Sequence, residues 1–90
     1  MEILVDKSFF KDLEHINNKA LSAKIDKAIE DIQKATALNE IKNLKKISAG
    51  KTNDFFRLRV GDYRIGIRFI DSKIVFVRIL HRKEIYRFFP

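Results

Sequence analysis

Cysteine is absent from this 90-residue chain. That excludes a disulfide scaffold, a zinc ribbon and a thiol nucleophile. It fits a reducing, cytoplasmic setting. A single proline and three glycines exclude a linker or low-complexity tract. No apolar run approaches the roughly 20 residues of a membrane helix, so no membrane partner is expected. The first residues, MEILVDKSFFKDLE, place acids where a signal peptide needs positive charge. Paired carboxylates, a His/Asp/Glu ligand cluster and a Gly-rich phosphate loop are all missing. Metal catalysis and a nucleotide cofactor are therefore not expected, and no cofactor is assigned. Arginine is missing from the whole first half of the chain.

What is present is enough for one small domain spanning residues 1–90. Hydrophobic residues make up 46% of the chain, sufficient for a simple core and too many for a disordered segment. The net charge is +7, which points to a polyanionic partner. Its distribution says more. Residues 1–50 carry nine lysines against eight acids, whereas residues 51–90 carry three lysines and seven arginines against four acids. Arginine suits bidentate contacts with phosphate. The second half of the chain is where function is sought.

Periodicity gives a coarse architecture. Residues 2–5 read as a short strand. Ser8 is placed to cap a first helix carrying Phe9, Leu13 and Ile16, which Asn17 and Asn18 interrupt. A second helix over residues 20–36 has Leu21, Ile25, Ala28, Ile29 and Ile32 as its core stripe. Residues 37–53 read as a connection, anchored through one helical turn by Ile41, Leu44 and Ile47 and ended by Gly50. Lys42, Lys45, Lys46 and Lys51 make it basic. Three strands follow, at 55–60, 63–70 and 74–80. Gly61-Asp62 forms a two-residue turn. A three-residue turn at 71–73 is preferred for the next, because it keeps one sheet face apolar: Phe56, Leu58, Val60, Ile65, Ile67, Phe69, Val75, Val77 and Ile79.

The other face then carries Arg57, Arg59, Arg64, Arg68, Arg78 and Arg82. Two readings stand. The face is solvated and partly paired with Asp54, Asp62 and Asp71, or it is a concavity built to receive phosphates, since so many like charges repel one another. Arg59 and Arg64, opposite each other across a hairpin, suit a single phosphate. The end of the chain holds His81, an acid–base group titrating near neutrality. Parity puts it on the core side, so a structural role stands beside a catalytic one. Tyr86 is a packed aromatic or a base-stacking ring. Phe88 and Phe89 read as a hydrophobic anchor. His15 reads as surface or cap-like.

Three stretches carry a family resemblance: Leu44-Lys45-Lys46-Ile47, the run RLRVGDYRI from Arg57, and the ending Leu80-His81-Arg82-Lys83-Glu84-Ile85-Tyr86-Arg87. With them the chain resembles the RelE/ParE superfamily of toxins from type II toxin–antitoxin systems. The resemblance implies an α+β fold of order β-α-α-β-β-β, two N-terminal helices on one face of a small, mainly antiparallel, twisted sheet. Arg82 and Tyr86 match the basic residue and tyrosine of RelE-like members. These are endoribonucleases that cut messenger RNA in the ribosomal A site without metal, by attack of the 2′-hydroxyl. ParE-like members, which inhibit DNA gyrase, are the alternative. By resemblance Arg64 binds the scissile phosphate, Arg82 assists the leaving group or the phosphate, and Tyr86 stacks on a base or orders the 2′-hydroxyl. Arg57 and Arg59 stand where some members have lysine. An arginine cannot serve as a base, so His81, Tyr86 or the ribosome is left for that role. Arg68, Arg78, Lys83, Lys45 and Lys46 complete the expected RNA-binding set. An antitoxin encoded by an adjacent gene is the expected partner, with promoter DNA reached only through it.

Overall fold

Alternation of apolar and charged residues builds the sheet, and the amphipathic helices cover one side of it. The computed structural model describes residues 1–47 and 54–90. In chain order the elements are β1 (Ile3–Val5), α1 (Lys7–Glu14), α2 (Lys19–Lys34), β2 (Leu44–Lys46), β3 (Phe55–Val60), β4 (Tyr63–Ile70), β5 (Lys73–His81) and α3 (Ile85–Phe88). The sheet order is β1-β5-β4-β3-β2. β1 runs parallel to β5 and every other neighbour is antiparallel. Among the described residues no helix is long and apolar enough to cross a membrane.

The core lies between the helices and one sheet face. Phe9 of α1 and Leu21, Ile25 and Ile32 of α2 meet Phe56, Leu58, Val60, Ile65, Ile67, Ile74, Phe76 and Ile79. Each fully buried isoleucine contributes roughly 1.5–3 kcal/mol. Asn18 starts α2 by accepting a hydrogen bond from the N–H of Leu21 at 3.1 Å. The Gly61-Asp62 hairpin has the expected register, with Leu58 opposite Ile65, Arg59 opposite Arg64 and Val60 opposite Tyr63.

Four local expectations are corrected. Leu44–Lys46 is an edge strand against β3, not a helical turn; the one turn of 3-10 helix lies earlier, at Leu38–Glu40. Three residues, two of them lysine, are too few to show a period. The chain also adds α3 at its end. Gly50 and Lys51 lie outside the described residues.

The second correction is the turn after β4. Ile70 pairs with Lys73, so the turn has two residues, Asp71 and Ser72, with φ of 51° and 61°. Two consecutive positive φ values give the twist that antiparallel strands require. The third correction follows from the second. Gly66 pairs with Arg78, but Ile67 pairs with Phe76, which leaves Val77 as an extra residue in a β-bulge. The bulge resets parity, so Ile74, Phe76 and Ile79 enter the core in place of Val75, Val77 and Ile79. Because residues 74–77 are all apolar, parity alone had no charge to register the slip.

The fourth correction concerns Ser8, which caps nothing. Asp6 occupies the N-cap position of α1. The Ser8 hydroxyl instead donates to the carbonyl of Val77, and Asp12, one turn on, accepts from the N–H of Ile79 at 3.0 Å. The N–H of Asp6 donates to the Phe76 carbonyl at 2.9 Å. β1 is too short to pair the whole of β5, and α1 takes over the unpaired edge where β1 ends. Asp12 also grips Arg78 in a fork, at 2.7 and 2.9 Å, and this contact raises the Arg78 pKa.

Asp12→Ala therefore strips two groups of their partner at once, the Arg78 guanidinium and the Ile79 N–H. The expected loss of unfolding free energy in urea titration is about 2–4 kcal/mol. Asp31→Ala, which breaks only the exposed i,i+4 pair with Lys27, should leave the urea midpoint almost unchanged.

Candidate functional site

The sheet face away from α1 and α2 is neither bare nor uniformly basic. The C-terminal segment crosses it. Phe89 lies over Gly66, against Phe55 with ring centroids 5.7 Å apart. Ile85 and Phe89 are both buried, and both lie outside the main core cluster. They make a second, smaller apolar patch on the arginine face. A Cβ on Gly66 would sit 2.5 Å from the Phe89 ring, so glycine here is what lets the segment dock. Phe89 is the anchor expected at this end, whereas Phe88 is half exposed.

The arginines divide into two groups by their partners. Arg68 pairs with Asp54 at 3.0 Å, and Arg78 pairs with Asp12. Arg57, Arg59 and Arg64 pair with no carboxylate among the described residues. Neutral groups hold them instead. Arg57 stacks on Tyr86, its guanidinium carbon 4.2 Å from the ring centroid. Arg59 donates to the side-chain oxygen of Asn43 at 3.0 Å. Arg64 donates to the carbonyls of Gly61 and Tyr63 at 3.0 and 2.9 Å. Their positive charge is oriented without being cancelled.

These three arginines share one cavity of about 390 Å³ with Lys45, Asn43, Leu44 and Tyr86. None of these lining residues is a carboxylate. β2 supplies Lys45, which pairs in register with Arg57. The volume is in the range of small-ligand sites. Four cations with no anion among the described lining residues suit a polyanionic ligand. Among the described residues the buried Nε of Arg57 has no hydrogen-bond partner, and neither has that of Arg68 outside the cavity.

The remaining expected residues fall elsewhere. His81 pairs with Tyr63 and packs edge-on to its ring, centroids 5.6 Å apart, on the helix-covered side. Its Nδ1 accepts from the N–H of Lys83 at 3.2 Å. Lys46 pairs with Phe56, whose side chain enters the core, so it points away from Lys45. Arg82 is exposed and its N–H donates to the Asp62 carbonyl at 2.8 Å. Neither Arg82 nor Lys83 lines the cavity. Asn43 was missed in the sequence, and Leu44 was read only as an anchor and as part of the family motif. An Asn just before a basic stretch, in a connection without period, carried no signal of its own.

Comparison with known proteins follows the same line. Residues 3–86 match the family model described as ParE toxin of type II toxin–antitoxin system. The chain is 42% identical, over the full length of both, to Toxin RelE3 of Methanocaldococcus jannaschii. The toxin–antitoxin complex RelB–RelE from Methanococcus jannaschii contains a chain 41% identical, with a TM-score of 0.76, covering 97% of this chain and 99% of that one. The YoeB dimer of Staphylococcus aureus has the same fold at 19% identity, TM-score 0.71, covering 91% and 97%. The chain belongs to the RelE/ParE superfamily of toxins of type II toxin–antitoxin systems. Within it the two relatives above 40% identity place it on the RelE-like side.

Gly66→Ala should lift the C-terminal segment from the sheet while leaving the main core in place. Hydrogen exchange of residues 85–89 is expected to speed up at least tenfold, with a stability loss of about 1–3 kcal/mol. Unchanged protection of that segment would show that Phe89 does not anchor it.

Proposed function

We propose that this toxin is an endoribonuclease that cuts messenger RNA on the ribosome without a metal ion. The observation that carries the reading is the cavity of Arg57, Arg59, Arg64 and Lys45, with no carboxylate among its described lining residues and the exposed ring of Tyr86 at its side. The name RelE of its relatives supports it. In the proposed reaction the 2′-oxygen forms a bond to the adjacent phosphorus, and the bond from phosphorus to the 5′-oxygen breaks. One proton leaves the 2′-hydroxyl and one is delivered to the 5′-oxygen. The product is a cyclic phosphate with a free 5′-hydroxyl.

Arg64 is the clamp on the scissile phosphate. Its two backbone-carbonyl bonds fix the guanidinium before substrate arrives, so charge building on the phosphate oxygens meets donors already in place. Arg57 and Arg59 flank it. Tyr86 stacks on a substrate base and carries Arg57 on its ring. Arginine does not give up its proton at neutral pH, so proton transfer falls to the phenol of Tyr86 and the ammonium of Lys45. His81 is left to its structural bonds with Lys83 and Tyr63. Arg82 and Lys83 border the site as phosphate contacts. The toxin's partner is an antitoxin, as RelB is to RelE in the complex of the 41% relative. Its binding segment is acidic and covers the cavity. Promoter DNA is reached through that partner.

Purified protein added to an in vitro translation reaction should give new message 5′ ends, found by primer extension and absent when the same RNA is incubated without ribosomes. Arg64→Ala should lower the cleavage rate by about 10²–10³ with folding unchanged. A second reading, inhibition of DNA gyrase, is favoured by the ParE name of the matching family model. Intact translated message together with lost supercoiling activity of gyrase would establish that reading instead.

A further inference from the structure

We infer that Asn43 is a positioning residue of the site: it aims Arg59 into the cavity with a neutral acceptor, and its neutrality is what the site requires. The inference rests on the RNA-cleavage reading above and adds to it a residue outside the arginine face. Two bonds join Asn43 to Arg59. The backbone N–H of Arg59 donates to the Asn43 carbonyl at 3.0 Å, and the guanidinium donates to the Asn43 side-chain oxygen at 3.0 Å. The first fixes where the Arg59 backbone sits relative to the start of β2. The second fixes the head of its long side chain, which is otherwise exposed and free to turn.

The backbone of Asn43 selects the residue type. Its φ is 65°, a left-handed conformation that Gly, Asn and Asp accept far better than other residues. Gly lacks an acceptor. Asp has one, and would hold Arg59 more firmly. The same sheet face uses Asp in that way twice, at Asp12 on Arg78 and Asp54 on Arg68. Those two arginines are neutralised and lie outside the cavity. Asn is the type that meets the backbone need, supplies the acceptor and leaves the charge of Arg59 intact.

The test uses the full chain and programmed ribosomes, with single-turnover cleavage of message as readout. Asn43→Asp keeps the conformation and the hydrogen bond and adds a negative charge. It should lose at least tenfold in rate at saturating ribosomes, with a melting temperature at or above that of the unaltered protein. Asn43→Gly keeps the conformation and removes the acceptor. It should lose several-fold in an otherwise unaltered chain and less than twofold when combined with Arg59→Ala, because it acts through Arg59. A purely structural Asn43 gives the opposite pattern: Asn43→Asp cleaves at the normal rate, or Asn43→Gly costs the same with and without Arg59. Either result overturns the inference. If the unaltered toxin fails to cut translated message, the RNA reading itself fails and this inference with it.

Discussion

Mutual repulsion of arginines on one sheet face is the constraint around which this molecule is arranged. Two unit charges about 7 Å apart repel by about 2 kcal/mol at an effective dielectric near 20. Five guanidiniums on adjacent strands could not all be left unpaired without a substantial loss of stability. The structure answers with two kinds of partner. Carboxylates from outside the three long strands, Asp12 on α1 and Asp54 just before β3, neutralise Arg78 and Arg68. Carbonyls, an amide and a phenol ring hold the other three. Repulsion is relieved at Arg68 and Arg78 and kept at the three arginines that line the cavity.

The neutralised arginines do structural work that the free ones could not do. Asp12 reaches Arg78 only because α1 runs along the edge of β5 where β1 has ended, and it satisfies the Ile79 N–H in the same stroke. That edge lies beside the bulge at Val77, which in turn puts both Phe76 and Ile79 into the core. One carboxylate thus ties a helix, an open strand edge and a charge of the far face together. Losing it exposes several groups at once, which distinguishes it from the exposed pairs along α2.

Much of this was legible in the residues. The strand at 55–60 and its hairpin to 63–70 follow from strict alternation around Gly61-Asp62, and their register came out as counting gives it. The α2 stripe was equally plain. Where apolar residues run consecutively, as at Ile74, Val75, Phe76 and Val77, alternation has nothing to contrast, and the bulge stayed hidden. β2 was invisible for a different reason, since a three-residue edge strand draws its conformation from its neighbour. The cavity was half legible. Arg57, Arg59 and Arg64 fall together by parity, but sorting them from Arg68 and Arg78 needs Asp12, which lies 66 residues from its partner.

The C-terminal segment shows how the second patch serves the first. Tyr86 is largely exposed, yet its ring is stacked against Arg57. What holds it there lies on either side of it in sequence: Ile85, wholly buried, and Phe89, seated on Gly66. A glycine in the middle of a central strand weakens the strand by itself. At this place it makes the hollow that receives Phe89, and the docked segment then covers Arg57. The stacked ring shields one side of the guanidinium from water, which strengthens its field toward the open side. The aromatic anchor and the cationic cavity are therefore coupled, and a change in the anchor is felt at the Arg57 guanidinium.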